Sequence, residues 1–115
     1  MTPDDYCQQK AAASGSSFYA SFRFLTPERR RAITALYAFC REVDDVVDET
    51  PDAALAAAQL ADWRDELDRL YAGQPQHPVT QALQAVLPHF SLPQELLLEI
   101  IDGMEMDLQQ TRYPD

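Results

Sequence analysis

The sequence has little cysteine, little positive charge, no long apolar run and no strand-and-turn signal. Its 115 residues hold two cysteines, Cys7 and Cys40. Two cannot build a disulfide framework, and neither stands in a Cys-x-x-Cys or Cys/His ligand spacing. Both are expected on helix faces as small apolar residues in a reducing compartment. Nine Lys and Arg against 19 Asp and Glu give a formal charge of -10. That balance argues against a broad basic surface, so no nucleic acid partner is expected. It fits a user of divalent cations, and it fits an ordinary soluble surface equally well. No apolar stretch approaches the roughly 20 residues of a membrane span. Met1-Thr2-Pro3-Asp4-Asp5 is acidic and lacks the apolar segment of a signal peptide. His77 and His89 each adjoin a proline and lack the i, i+4 partner of a helix-borne metal site, so loop or helix-end positions are expected. No sustained strand alternation is bounded by Asn-Gly or Asp-Gly turns.

What is present is helical punctuation. The chain is 46% apolar, too much for a disordered segment, and its length suits one domain or less. Thr2-Pro3-Asp4, Thr26-Pro27-Glu28 and Thr50-Pro51-Asp52 read as helix starts. In each, Thr caps an orphan N–H, Pro presets φ at the first helical position, and the acid complements the helix dipole. Ser91-Leu92-Pro93-Gln94-Glu95 is a fourth start of similar type, and His77-Pro78 a weaker fifth. The runs between them are rich in good helix formers. Helices are predicted over about 3–14, 17–23, 27–49, 52–72, 78–89 and 93–111. The fold class is all-α, without an interdomain tether or an internal repeat beyond the Thr-Pro starts.

The segment 27–49 carries the chemistry. At about 100° per residue, Ile33, Leu36, Cys40, Val43 and Val47 form an apolar stripe, flanked by Phe39 and Val46 and expected to face the core. Tyr37, Arg41, Asp44 and Asp48 form a second stripe beside it. Glu42, Asp45 and Glu49 fall on the far side, where water is expected. Two carboxylates at i and i+4 lie roughly 6 Å apart and repel each other. Mg²⁺ removes that repulsion; it takes one or two protein carboxylates and completes its shell with water and phosphate oxygens. Arg41 offers a forked donor to the same phosphate, and Tyr37 adds a hydroxyl. These residues read as a grip for Mg²⁺ and diphosphate, with Asp44 and Asp48 as metal ligands. An ordinary alternative stays open, in which Arg41 only makes i, i+3 and i, i+4 ion pairs on a solvated helix.

Three segments together resemble the N-terminal part of the squalene/phytoene synthase family, and within it the bacterial presqualene diphosphate synthases of the hopanoid pathway. They are Ser16-Ser17-Phe18-Tyr19, Leu25-Thr26-Pro27-Glu28-Arg29-Arg30-Arg31-Ala32, and Leu36 through Asp48 with its Tyr-x-x-x-Arg-x-x-Asp-x-x-x-Asp pattern. Gly103-Met104-Glu105-Met106-Asp107-Leu108 is similar to that family's next pocket-lining helix. The resemblance implies the N-terminal part of an all-α isoprenoid synthase bundle. The activity implied is head-to-head (1′-1) joining of two prenyl diphosphates, farnesyl or geranylgeranyl, to presqualene/squalene or prephytoene/phytoene. It implies Mg²⁺, with Mn²⁺ as a substitute, and NADPH only where the product is reduced to squalene. It assigns Asp44, Asp48, Arg41 and Tyr37 to catalysis. Substrate contacts fall to Ser14, Ser17, Phe18, Tyr37, Arg41, Met104 and Asp107. Some relatives carry His-Ser where this chain has Ser14 and Gly15.

The family's second acidic motif, of the Asn-x-x-Arg-Asp-x-x-x-Asp type, has no counterpart in these residues. The chain is therefore expected to be the incomplete N-terminal portion (1–115) of one synthase domain, inactive alone. A cytoplasmic location follows, with peripheral contact at the inner membrane as an alternative. The cavity-facing residues Phe18, Phe22, Leu36, Val43, Val47, Leu97, Ile101, Met104 and Leu108 are expected to lie uncovered and to drive a homo-oligomer. Arg29-Arg30-Arg31 is expected to be solvated, with Glu28 as partner, and Trp63 to pack an edge on the core. Phe18, Tyr19, Phe22 and Phe24 fit a prenyl tunnel or plain core equally. Two rival readings remain. Asp44-Asp45-Val46-Val47-Asp48 also satisfies the Asp-Asp-x-x-Asp pattern of head-to-tail prenyltransferases and terpene cyclases, and an acidic helical interaction module needs no chemistry.

Overall fold

Three of the four Thr-Pro and His-Pro starts become helix caps in the computed structural model, which describes residues 1–13 and 24–112. Among the described residues there are five helices and no strand: α1 (Pro3–Ala13), α2 (Pro27–Glu49), α3 (Ala53–Tyr71), α4 (Pro78–Val86) and α5 (Gln94–Arg112). The helix expected over 17–23 lies outside the described residues. At α1, Thr2 Oγ1 accepts from Asp5 N at 3.0 Å, and Asp5 Oδ2 accepts from Thr2 N at 3.3 Å, a reciprocal capping box. Thr26 caps α2 through Arg29 N. His77 caps α4, its Nδ1 accepting from Val79 N at 3.0 Å. This is the helix-end role expected of it.

The third start differs from its expectation. Asp52, not Thr50, caps α3, its Oδ1 accepting from Ala54 N at 2.8 Å and Leu55 N at 3.3 Å. A carboxylate is the stronger acceptor at a helix start, and Thr50 instead terminates α2. At the far end of α3, Gly73 adopts φ 85°, which permits the paired closing bonds Gly73 N to Leu70 O and Gln74 N to Arg69 O.

α2 is the central element, packed against α1, α3, α4 and α5. α3 also packs on α4 and α5, and α1 on α4. The shared core includes Phe39, Val43, Leu60, Leu67, Leu83, Leu97, Ile101 and Leu108. Trp63 meets Phe39 edge-on at 5.8 Å, as its position on an amphipathic helix predicts. Arg64 ties α3 to α5 through Asp102 at 2.8 Å and Glu105 at 3.1 Å. Cys7 is buried and Cys40 half-buried, and both are free thiols on helix faces. Burial pushes the Cys7 thiol up to about 12, so it is an inert packing group.

The expected stripe of α2 does meet the core, with Phe39 and Val43 in it and Leu36, Cys40, Val46 and Val47 packed against it, but it is not the most enclosed arc. Ala32, Ala35, Ala38, Phe39 and Val43 are buried, whereas Ile33, Leu36, Cys40 and Val47 are only half-buried. The buried arc is rotated by roughly one residue, about 100°, from the stripe of largest side chains. The alanines on that arc let neighbouring backbones approach, so size did not mark the most enclosed face. The expected association surface shrinks for a related reason. Val43, Leu97, Ile101 and Leu108 are at most 1% exposed, enclosed where α2, α3 and α5 meet. Leu36, Val47 and Met104 remain half-buried, and Phe18 and Phe22 lie outside the described residues. Phe24 is 80% exposed, so it is not core. Arg31 pairs with Asp4 of α1 at 2.7 Å rather than with Glu28, because α1 lies alongside the start of α2. Among the described residues, no helix is long and apolar enough to cross a membrane.

Candidate functional site

Tyr37, Arg41, Asp44 and Asp48 occupy successive turns of α2, on the side roughly opposite Ala35 and Phe39. The half-buried apolar stripe Ile33, Leu36, Cys40 and Val47 adjoins them. A charged stripe and an apolar stripe thus run side by side along one rigid helix, both reachable from solvent. At its N-terminal end the apolar stripe runs into a groove of about 270 Å³ lined by Leu25, Arg29, Ala32, Ile33, Leu36, Phe90 and Leu92.

Arg41 Nη1 bonds Asp44 Oδ2 at 2.9 Å, and Nη2 reaches Asp45 Oδ1 at 3.3 Å. These are the i, i+3 and i, i+4 pairs of the ordinary alternative. They do not neutralise the site. The Asp44 carboxyl is held above its usual range by burial and by the neighbouring Asp48 carboxylate, against the opposing pull of Arg41. Two carboxylates therefore press on each other beside a cation already shared with Asp45. That is a donor set a divalent cation would relieve. Among the described residues, no group of three or more His, Cys, Asp or Glu side chains could hold a metal. The two carboxylates match the number Mg²⁺ takes when water and phosphate complete its shell.

Glu42 and Asp45 do not face water as expected. α1 packs against their side of α2, and Lys10 bonds Asp45 Oδ2 while standing 3.8 Å from Glu42 Oε1. Tyr6 donates its hydroxyl to Glu42 at 2.5 Å. The sequence signal was available in Tyr6 and Lys10, a hydroxyl and a cation one turn apart on α1. Burial opposes the Lys10 charge, but the bond to Asp45 and the charges of Glu42, Asp45 and Glu49 raise its pKa above the ordinary lysine value. Glu49 is exposed, as expected.

The remaining assigned residues divide. Met104 is half-buried against the core, and Asp107 is exposed on α5. Among the described residues, no hydrogen bond or ion pair joins Asp107 to Arg41, Asp44 or Asp48. Leu108 is core rather than pocket wall. Ser14, Ser17 and Phe18 lie outside the described residues.

The chain matches the Squalene/phytoene synthase family over residues 11–115. It is 42% identical over 115 residues to a presqualene diphosphate synthase of Rhodopseudomonas palustris, covering 99% of this chain and 40% of that protein. It is 41% identical over 110 residues to the presqualene diphosphate synthase of Sinorhizobium fredii, covering 95% of this chain and 39% of that protein. It is 34% identical over 109 residues to a chloroplastic phytoene synthase of Narcissus pseudonarcissus, covering 95% of this chain and 26% of that protein. The chain thus spans two-fifths or less of the length of these relatives. No solved structure matches it significantly. With an all-α fold and the Tyr37–Arg41–Asp44–Asp48 stripe on its central helix, the chain belongs to the squalene/phytoene synthase family.

Proposed function

We propose that the protein carrying this sequence joins two prenyl diphosphates head to head with Mg²⁺, and that these 115 residues supply the first of its two acidic helices. The observation that carries this reading is the pairing on α2 of a charged stripe with a half-buried apolar stripe, the pattern of a ligand with a diphosphate head and a hydrocarbon tail. In the reaction, one substrate loses diphosphate, and its allylic carbon bonds to the double bond of the second. Loss of a proton then closes a cyclopropylcarbinyl diphosphate. The substrate is farnesyl or geranylgeranyl diphosphate, since the relatives include both presqualene diphosphate synthases and phytoene synthases. NADPH enters only where the product is reduced to squalene.

Asp44 and Asp48 would hold the Mg²⁺, which supplies charge neutralisation to a departing diphosphate. Arg41 donates to the diphosphate oxygens, and Tyr37 offers its hydroxyl. Ser14, Ser17 and Phe18 complete the substrate contacts, with Met104 and Asp107 from α5. The head-to-tail alternative leaves the spacing of Tyr37 and Arg41 ahead of the acidic pair unexplained. A cytoplasmic location, peripheral membrane contact and a homo-oligomer of the chain belong to this proposal.

Titration calorimetry tests the site. The chain is expected to bind Mg²⁺ weakly, with affinity raised by inorganic diphosphate, and Asp44→Asn/Asp48→Asn is expected to abolish that gain. Equal binding by the double variant overturns the assignment. The chain alone is expected to form no coupled product from farnesyl diphosphate and Mg²⁺, because charge on the leaving diphosphate must be stabilised from both sides. Presqualene diphosphate detected by mass spectrometry would contradict this.

A further inference from the structure

Asp45 stands between two cations that come from different helices. Lys10 on α1 bonds its Oδ2, and Arg41 on α2 reaches its Oδ1 at 3.3 Å. The other terminal nitrogen of Arg41 holds Asp44 at 2.9 Å. Lys10 is the only lysine in the chain, and its side chain is 26% exposed. The Asp45 side chain is 20% exposed, so water screens this contact only in part.

A carboxylate with both oxygens free accepts a guanidinium in a two-pronged fork. Asp45 lies at the i+4 position from Arg41, within reach of such a fork. Lys10 occupies one of its oxygens and offsets its charge. Only one Arg41 nitrogen then rests on Asp45, and the guanidinium spans Asp44 and Asp45 instead of closing on one of them. A guanidinium has five N–H donors, so this posture leaves several for an anion.

We propose that Lys10 is a positioning residue for Arg41: by engaging Asp45 from α1, it keeps the Arg41 guanidinium from closing on Asp45 and leaves its donors to a diphosphate. This rests on the diphosphate reading above. It also gives the middle acid of Asp44-Asp45-x-x-Asp48 a role that is neither metal ligand nor solvated charge.

The test is calorimetric titration of the 115-residue chain with inorganic diphosphate in Mg²⁺, with helicity checked by circular dichroism. Lys10→Met is expected to weaken binding about fivefold, the scale of one partly exposed ion pair. Lys10→Arg keeps the charge and is expected to bind within about twofold of the native chain. Lys10→Met/Asp45→Asn removes the competing carboxylate and is expected to recover the same range. Lys10→Met/Glu49→Gln restores the net charge at an exposed position and is expected to stay weak. The Arg41 Nε–H resonance should shift in Lys10→Met and return in Lys10→Met/Asp45→Asn. Native affinity in Lys10→Met, or equal recovery with Glu49→Gln, overturns the proposal. Should Lys10→Met fail to fold, Asp45→Asn alone is decisive: retained affinity supports the proposal, and lost affinity overturns it. The diphosphate reading survives any of these results as long as Asp44→Asn/Asp48→Asn loses binding. If that variant binds like the native chain, both fall.

Discussion

Glu66→Ala is expected to lower the unfolding free energy by about 3 kcal/mol at pH 7. Glu66 is 5% exposed on α3, a place where a carboxylate survives only with partners. It has four. Oε2 accepts from Gln76 N at 2.7 Å, from His77 N at 2.9 Å and from Thr80 Oγ1 at 2.5 Å, and Oε1 accepts from Arg69 at 2.8 Å. Burial opposes its ionisation, but the bonds from Thr80, His77, Gln76 and Arg69 outweigh burial and hold the carboxyl down to about 2. The folded-state value lies below that of the unfolded chain. The stabilisation is therefore complete above about pH 5 and is lost as pH falls towards 2. Removing the side chain also strands the two backbone N–H groups at the entry to α4. Urea unfolding at pH 7 and at pH 3 checks both parts: the gap between native chain and variant should narrow at the lower pH. A gap independent of pH would rule out the carboxylate as its source. Glu66→Gln should cost nearly as much, because its amide group turns a donor toward donors.

Phe39→Ala is expected to cost about 3–5 kcal/mol, a large share of the 5–15 kcal/mol typical of a small domain. Phe39 is fully buried on the helix that touches every other described helix, and its ring meets the edge of Trp63. The cavity would open between α2 and α3. Trp63 is the only tryptophan and is packed on the site of the change, so its fluorescence reports the loss directly during denaturant unfolding. Met106→Ala, at a position 58% exposed, should stay within about 0.5 kcal/mol of the native chain. A comparable loss at both positions would mean that Phe39 is not the centre of the core.

These two residues show where sequence pattern stops. Phe39 was readable only as a flank of the core stripe, because Ile33, Leu36, Cys40, Val43 and Val47 mark the larger apolar arc of α2. The enclosed arc runs instead through Ala35, Ala38, Phe39 and Val43. Ile33, Leu36, Cys40 and Val47 are consequently only half-buried beside the carboxylates, and the proposal of a diphosphate with a hydrocarbon tail rests on that pairing. Glu66 gave no signal at all. Its four donors come from positions three to fourteen residues on, gathered only when the turn after α3 folds back at Gly73.

The sequence by itself determined the described helices to within a few residues at their ends, because caps and prolines act within a turn of their own position: Thr2, Thr26 and His77 each cap the helix they announce. It also determined the spacing of Tyr37, Arg41, Asp44 and Asp48, since helical periodicity alone puts them on one face. Tertiary structure decided which face of α2 is enclosed, and which acids are engaged. Asp45 and Glu42 look like solvated charges until α1 arrives with Lys10 and Tyr6 from some 35 residues earlier in the chain. Burial and ion pairing depend on what the neighbouring helix carries, and no local pattern in α2 encodes that neighbour.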